Sequence, residues 1–432
     1  MKYYSINQSV EKIGFEQAVI QGIAVDKGLF FPEEIPALSS EFIKNIEQYS
    51  PTEIALEVIK PFVGGEIPEF ELKQIIKETL SFDFPLVEVQ KDIFALELFH
   101  GPTLAFKDVG ARFMSRCLRY FNKNKTEQKI TVLVATSGDT GSAVANGFLG
   151  VEGVNVVILY PCDKVSDIQE KQLTTLGQNI TALEVKGSFD DCQNMVKKAF
   201  LDDSLKTINL TSANSINVAR WLPQMFYYFF AYKELKSKGK PIVVSVPSGN
   251  FGNICAGLMA KKMGLPISHF IASTNANDTI PRYLIDGEYS PLYSKPTLSN
   301  AMDVSDPSNF VRILEIYKQD MDALKIDLSA FAFDDLATKK AMRFLCHQWS
   351  YIADPHGAVG YLGLQHFLKN KTDFLGVFLE TAHPVKFLNT VEETLDIKLD
   401  IPSDIEFIMK KNKISIVINS YSELNTFLLQ SE

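Results

Sequence analysis

Short apolar runs alternating with helical stretches from about residue 90 onward predict an α/β protein whose layers are covered on both faces. Several of these runs are continuous in Val, Ile and Leu, the pattern of strands buried on both sides of a mainly parallel sheet. Residues 1–85 read differently. Pro32, Pro36, Pro51, Pro61 and Pro68 interrupt helical stretches such as 41–49 and 71–80, which predicts a mostly helical N-terminal domain.

The strands are expected over 93–98, 130–135, 154–160, 180–185, 207–210, 242–246, 267–272 and 374–379. Helices are expected over 109–121, 141–149 and 254–263, and a further one is expected to begin near Asn217. Polar Gly-rich turns follow several of the strands. In open α/β sheets ligands bind at the carboxyl ends of the strands, so these turns are where chemistry is expected.

The 432 residues suffice for two or three domains, and 46% hydrophobic against 22% charged residues supports an extensive core. A net charge of −9 argues against nucleic acid as the main partner. The five cysteines are scattered and lack C-x-x-C spacing, as expected of reduced thiols in a cytoplasmic protein. The six histidines show no metal-binding spacing, so no metal is expected. Met1 to Ser5 contain no apolar core of a signal peptide, and no run is apolar enough for a membrane span.

The run from His100 to Asp108, H-G-P-T-L-A-F-K-D, carries the most information. Lys107 follows a Gly-Pro break and the apolar residues Leu104, Ala105 and Phe106. An apolar setting disfavours an ammonium, and a neutral amine can form a Schiff base with a carbonyl. That combination points to pyridoxal 5'-phosphate (PLP), which in turn requires a phosphate cradle and a partner for its ring nitrogen.

Four turns could supply the remaining parts. Ser137, Gly138, Asp139 and Thr140 stand between a strand and a helix and suit a carboxylate, although capping alone explains these residue types equally well. Ser248 to Asn253 follow an apolar strand, and their small residues let backbone N–H groups converge on a phosphate. A tight strand-to-helix turn is the plainer alternative there. Asn214, Ser215 and Arg220 could clamp a second phosphate through the planar arginine fork, whereas Arg220 by itself reads as a surface ion pair. Thr381, in Glu380-Thr381-Ala382-His383-Pro384, offers a hydroxyl to a pyridine nitrogen. His383 reads as a turn residue rather than an acid or base, and the Asp354 to Gly360 turn reads mainly as structural.

The motifs together resemble the threonine synthases, PLP enzymes of the tryptophan-synthase-β type. The likeness lies in H-G-P-T-L-A-F-K-D at 100–108, S-G-D-T-G at 137–141, N-S-I-N-V-A-R at 214–220, S-G-N-F-G-N at 248–253 and E-T-A-H-P-V-K-F at 380–387. It extends to D-K-G-L-F-F-P-E-E-I-P at 26–36 and A-M-D-V-S-D-P-S-N-F at 301–310.

The resemblance implies PLP fold type II with two doubly covered, mainly parallel-sheet domains. The large one would comprise 86–128 and 225–432 and the small one 129–224, behind the N-terminal domain 1–85. It implies conversion of O-phosphohomoserine and water to threonine and phosphate by γ-elimination and β-addition of water, in a monomer or homodimer. Lys107 is then the Schiff-base lysine and principal acid/base. Gly249, Asn250, Phe251, Gly252 and Asn253 cradle the PLP phosphate, and Thr381 faces the ring nitrogen. Ser137, Gly138, Asp139 and Thr140 hold the substrate carboxylate, while Asn214, Ser215 and Arg220 grip the substrate phosphate.

Two positions depart from the pattern. Asp139 stands where smaller relatives of the fold type carry Asn, and a carboxylate beside the cofactor's ring oxygen is expected to be protonated or turned away. Asn300 replaces an expected proline. Competing readings are another PLP lyase of the same fold, such as a threonine dehydratase or a sulfhydrylase, and a PLP-binding protein without activity.

Overall fold

The computed structural model describes residues 1–123 and 129–430. Its strands in chain order are β1 (Tyr3–Ser5), β2 (Phe30–Pro32), β3 (Leu86–Gln90), β4 (Ile93–Glu97), β5 (Ile130–Ala135), β6 (Val154–Pro161) and β7 (Ile180–Val185). They continue with β8 (Asn209–Ser212), β9 (Ile242–Pro247), β10 (Ile267–Thr274), β11 (Leu328–Ala332), β12 (Leu375–Glu380) and β13 (Ile416–Ile418).

The chain divides into two compact units. The first contains Met1, residues 31–106 and residues 221–399; the second contains residues 2–30, 107–220 and 400–432. The observed division therefore falls at 30/31, 106/107, 220/221 and 399/400, away from the boundaries expected after 85 and 224. Residue 128, where sequence places another boundary, lies outside the described residues. Residues 1–85 are shared between the units for a packing reason. In the second unit the Val19 carbonyl accepts from Asn217 Nδ2 at 2.8 Å and from the Thr211 hydroxyl at 3.2 Å. In the first unit the Pro51–Val63 helix packs on the Phe226–Leu235 helix.

The first unit is built on a six-stranded sheet in the order β11-β10-β9-β12-β4-β3. All its pairings are parallel except β3 with β4. β9 and β12 are buried along their whole length. The reason is that helices cover both faces, so successive side chains on either side of the pleat meet apolar neighbours. The Asp335–Trp349 and Pro355–Leu368 helices close one face over Ile93, Val243, Ile271 and Phe378. The Gly252–Lys262 helix closes the other, where Gly257 leaves room for the Phe270 ring; a Cβ there would sit 2.5 Å from it.

The second unit carries five strands in the order β13-β7-β6-β5-β8, every pair parallel. Leu133, Val157, Leu159 and Leu183 face the Phe189–Ala199 and Tyr421–Gln430 helices. The alternate residues, such as Val132, Val156 and Ile158, are equally buried on the opposite face.

β5 and β7 match their expected bounds, and the other expected strands are present with small shifts. The strand expected at 207–210 starts at Asn209 instead. Ile208 N–H bonds back to Leu205 O at 3.0 Å, so the chain is still turning and pairing with β5 begins one residue later. The helix expected over 41–49 breaks at Asn45 into Ser40–Lys44 and a 3-10 turn over Ile46–Gln48.

Phe378 lies on β12, fully buried, with its ring edge-on to Tyr351 and Tyr361. Phe378→Ala is expected to cost about 3–5 kcal/mol, from lost transfer energy and an unfilled cavity. A urea unfolding midpoint unchanged from that of the parent protein would contradict this packing.

Candidate active site

In the first unit the site residues gather at the carboxyl ends of β9, β10 and β12. β9 ends at Pro247, and Ser248 N–H crosses to Ser273 O on β10 at 2.8 Å. The chain then turns through Phe251, whose φ of 59° is left-handed, and enters the Gly252–Lys262 helix. Left-handed φ is uncommon for a non-glycine residue and concentrates where surrounding structure holds the backbone in place. Here Phe251 is buried edge-on against Phe310.

Gly249 is required by space. A Cβ at this position would lie 2.6 Å from Met302 Cα and 3.0 Å from Ala301 O, both backbone atoms. The turn therefore presents main-chain N–H groups at the start of a three-turn helix, the arrangement that binds phosphate.

The two asparagines of this turn have different duties. Asn250 faces away from the cradle: its Oδ1 accepts from Ser308 N–H at 2.6 Å, and its carbonyl accepts from Asn309 Nδ2 at 3.2 Å. Asn253 is buried, and its Oδ1 accepts from the hydroxyls of Tyr227 (2.7 Å) and Tyr228 (2.6 Å). Its Nδ2 has no hydrogen-bond partner among the described residues. A buried donor without an acceptor is costly, and an anion seated at the helix N-terminus would answer it.

Thr381 directly follows β12 and is buried. Its carbonyl accepts from Phe106 N–H at 2.9 Å, Ala105 bridges Ala382, and His383 N–H donates to Leu104 O at 3.0 Å. Lys386 Nζ, fully buried, donates to Thr103 O at 2.8 Å. The segment just before Lys107 is thus strapped antiparallel to 381–383, with Leu104 in the left-handed region at φ 58°.

His383 serves this turn structurally. Its Nδ1 accepts from Val385 N–H at 3.1 Å, its ring meets Phe99, and burial and then neighbouring His100 lower its pKa.

Glu380, one residue before Thr381, is fully buried, and neither carboxyl oxygen has a partner among the described residues. Burial, then Asp354, then Glu97, push its pKa well above the usual carboxylate range. Gly357 leaves the space it occupies; a Cβ there would fall 2.0 Å from Glu380 Oε1. Asp354 in turn accepts from His356 Nδ1 at 2.5 Å and from Gly357 N–H at 2.8 Å, while His356 Nε2 accepts from Ala301 N–H at 3.2 Å. Residues 354–360, expected to be a mainly structural turn, are instead the Asp354 N-cap and the start of the Pro355–Leu368 helix, and through His356 that helix start reaches the loop that abuts Gly249.

In the second unit Lys107 opens the Lys107–Asn122 helix, and its Nζ stands 3.8 Å from Asp139 Oδ2. Asp139 is buried, and its other oxygen accepts from Gln169 Nε2 at 2.9 Å. This carboxylate thus faces the lysine. Gln169 had no sequence signal; it becomes visible only because the Asp167–Thr174 helix brings it against the turn.

Gly138, at φ 137°, has no room for a Cβ, which would meet the Gln169 amide at 2.4 Å. The Thr136 hydroxyl accepts from Gly138 N–H (2.9 Å) and Gly141 N–H (2.8 Å) and fixes the turn. Ser137 and Thr140 are half-buried at the N-terminus of the Asp139–Phe148 helix.

The third group lies beyond β8. Asn214 Nδ2 donates to Ala135 O at 3.1 Å, tying this segment to the end of β5. Arg220 is 2% exposed, so it is no surface ion pair. Its guanidinium donates to Ala213 O, and Gly110 leaves space for it. Burial lowers its pKa to about 10, opposed by the charge of Asp108, so it remains cationic at neutral pH. Asn217 Oδ1 caps the short helix by accepting from Ala219 N–H at 3.0 Å. Ser215 is half-buried beside Asn214.

In the first unit, a glycine turn that excludes side chains and a buried amide donor lacking an acceptor among the described residues fit a phosphate group; in the second, a lysine paired with a buried carboxylate suits a carbonyl. The class is accordingly that of the PLP enzymes: residues 80–375 match the family described as "Pyridoxal-phosphate dependent enzyme". Residues 2–80 match "Threonine synthase N terminus" and residues 357–427 match "Threonine synthase, C-terminal".

Threonine synthase of Buchnera aphidicola (subsp. Baizongia pistaciae) is 45% identical over the whole of both chains. The crystal structure of Escherichia coli threonine synthase superposes with a TM-score of 0.94 at 42% identity, covering both chains fully. The PLP-bound threonine synthase of Brucella melitensis gives 0.92 at 34% identity, covering 100% of this chain and 99% of that one. The chain belongs to the threonine synthase family.

The raised pKa of Glu380 carries a prediction about stability. A carboxyl whose folded pKa exceeds its unfolded value binds its proton more tightly when folded, so stability falls as pH rises from near 4.5 toward the folded value. Glu380→Gln, which mimics the protonated acid, is expected to flatten that decline in a calorimetric Tm series. An equally steep decline in the variant would show that Glu380 is ionised in the folded protein.

Proposed function

We propose that this chain converts O-phosphohomoserine and water to threonine and inorganic phosphate. The observation that carries the reading is Lys107, strapped through residues 104–106 to the turn bearing Thr381 and facing a buried carboxylate. The PLP group, when bound, would supply an electron sink that stabilises negative charge developing on the amino-bearing carbon. The proposed holders are Lys107, Gly249, Asn250, Phe251, Gly252, Asn253 and Thr381. Asn250 acts through its backbone, since its side chain is committed to Ser308.

The chain's own residues then divide the work. Lys107 Nζ takes the Cα proton, then a Cβ proton as the γ-phosphate leaves, and returns protons at Cγ and, once water has added at Cβ, at Cα, a task suited to an amine oriented by Asp139 at 3.8 Å. The turn Ser137, Gly138, Asp139 and Thr140 offers helix-terminal N–H groups and hydroxyls to the substrate carboxylate. Asp139 itself serves Lys107, since its carboxylate would repel that of the substrate.

Arg220, with Asn214 and Ser215, grips the substrate phosphate and receives the charge released when the Cγ–O bond breaks. A buried, cationic arginine suits this role because its desolvated fork binds a phosphate more strongly than an exposed one. Water adds at Cβ to complete threonine. The second anion grip favours this reaction over a dehydratase or a sulfhydrylase, whose substrates bring no γ-phosphate. Five free thiols support the cytoplasmic reading.

Two measurements test these roles. Lys107→Ala should lose about a hundredfold or more of phosphate release, and should no longer retain the pyridoxyl group after borohydride treatment. Fixation at another lysine would assign the role elsewhere. Arg220→Ala should raise KM for O-phosphohomoserine by about tenfold or more, the worth of one charge-assisted bond. Its cofactor absorbance should persist, and a KM equal to that of the parent enzyme would remove the phosphate grip.

A further inference from the structure

The A-M-D-V-S-D-P-S-N-F stretch marks the family resemblance, yet the proposed reaction gives it no task. The structure shows what it contacts. Ala301 and Met302 form the surface that a side chain at residue 249 would strike, and Ser308 and Asn309 hold Asn250 from the other side. This loop is therefore the outer wall of the Gly249–Asn253 turn.

Its anchor is Asp303. Oδ1 accepts from Thr297 Oγ1 (2.7 Å), Asn275 Nδ2 (2.9 Å) and Asn277 Nδ2 (3.3 Å), and Oδ2 accepts from Thr297 N–H (3.0 Å). Asn275 follows β10 directly and also donates to Thr297 Oγ1 at 2.8 Å. The same strand end receives Ser248 N–H. The loop and the turn are thus fixed to one point of the sheet.

We propose that Asp303 is a positioning residue for the cofactor-phosphate cradle. By tying the 297–303 loop to the end of β10, it sets Ala301 and Met302 against Gly249 and fixes where the turn's N–H groups point. This rests on the assignment of 249–253 as the phosphate cradle. Four hydrogen bonds converge on one carboxylate, which Asn could accept only in part because one oxygen becomes a donor. Burial pushes the Asp303 carboxyl up to about 6, against the pull of its bonds from Thr297 and Asn275, so above pH 7 it is ionised and accepts all four. The displacement expected on losing it is a fraction of an ångström, enough to misdirect phosphate donors without unfolding the sheet.

The test uses the full chain, stripped of cofactor and titrated with PLP by visible absorbance. Asp303→Ala is expected to raise the PLP dissociation constant by about tenfold or more. Asp303→Asn should fall between it and the parent protein, and Thr297→Val, which removes the hydroxyl's bonds to Asp303 and Asn275 and keeps the shape, should raise the constant about threefold or more. At saturating PLP, borohydride should still fix the pyridoxyl group on Lys107 in all three. Dissociation constants within twofold of the parent value for Asp303→Ala and Thr297→Val would overturn the proposal, and Thr297→Val decides alone if Asp303→Ala does not fold. Failure of the parent protein itself to bind PLP would instead overturn the assignment of the cradle.

Discussion

The short antiparallel strap between 104–106 and 381–383 is the constraint on which the proposed role of Lys107 depends. A lysine at the start of a helix has four flexible side-chain torsions, so its reach is useful only if its backbone is fixed. Phe106 N–H on Thr381 O, one residue before Lys107, provides that fixed point. Because β12 lies inside the six-stranded sheet, between β9 and β4, the strap inherits the rigidity of the core. Leu104 accepts left-handed φ to complete it, a local strain that the surrounding bonds outweigh.

Buried polar groups recur in both units, and each has its own resolution. Lys386 gives its ammonium to Thr103 O, and Asp354 binds His356 and the start of a helix. Glu380 is pushed toward its protonated form by burial and by two carboxylates nearby. Asp303 remains ionised near neutrality because four donors converge on it. In the second unit, Arg220 stays cationic despite burial, and Asp139 is divided between Lys107 and Gln169. Uncompensated charges in such settings cost several kcal/mol, and perturbed buried charges of this kind concentrate at functional sites.

Much of the architecture was legible because strand and helix periodicity are local properties. β5 and β7 were bounded correctly from apolar runs alone, and the glycine turns announced themselves through Gly138, Gly249 and Gly252. The shared N-terminal segment was not legible. Residues 2–30 join one unit through Val19, and the Pro51–Val63 helix joins the other through the aromatic Phe226–Leu235 helix, contacts made across more than 150 residues of chain. Apolar periodicity tells that a helix has a buried face, but not which partner buries it.

The sequence by itself determined the alternating layers, the family motifs, and the candidate lysine, cradle, carboxylate turn and phosphate clamp. Tertiary structure decided which atom of each residue is available. It turned Asn250 toward Ser308, left the Asn253 amide donor facing inward, buried Arg220 and aimed Asp139 at Lys107. It also brought in Gln169, Glu380 and Asp303, none of which sequence reading had assigned a role. The physical reason is that a turn's shape follows from neighbouring small residues, whereas a hydrogen bond's direction is set by whichever distant group packing delivers to it.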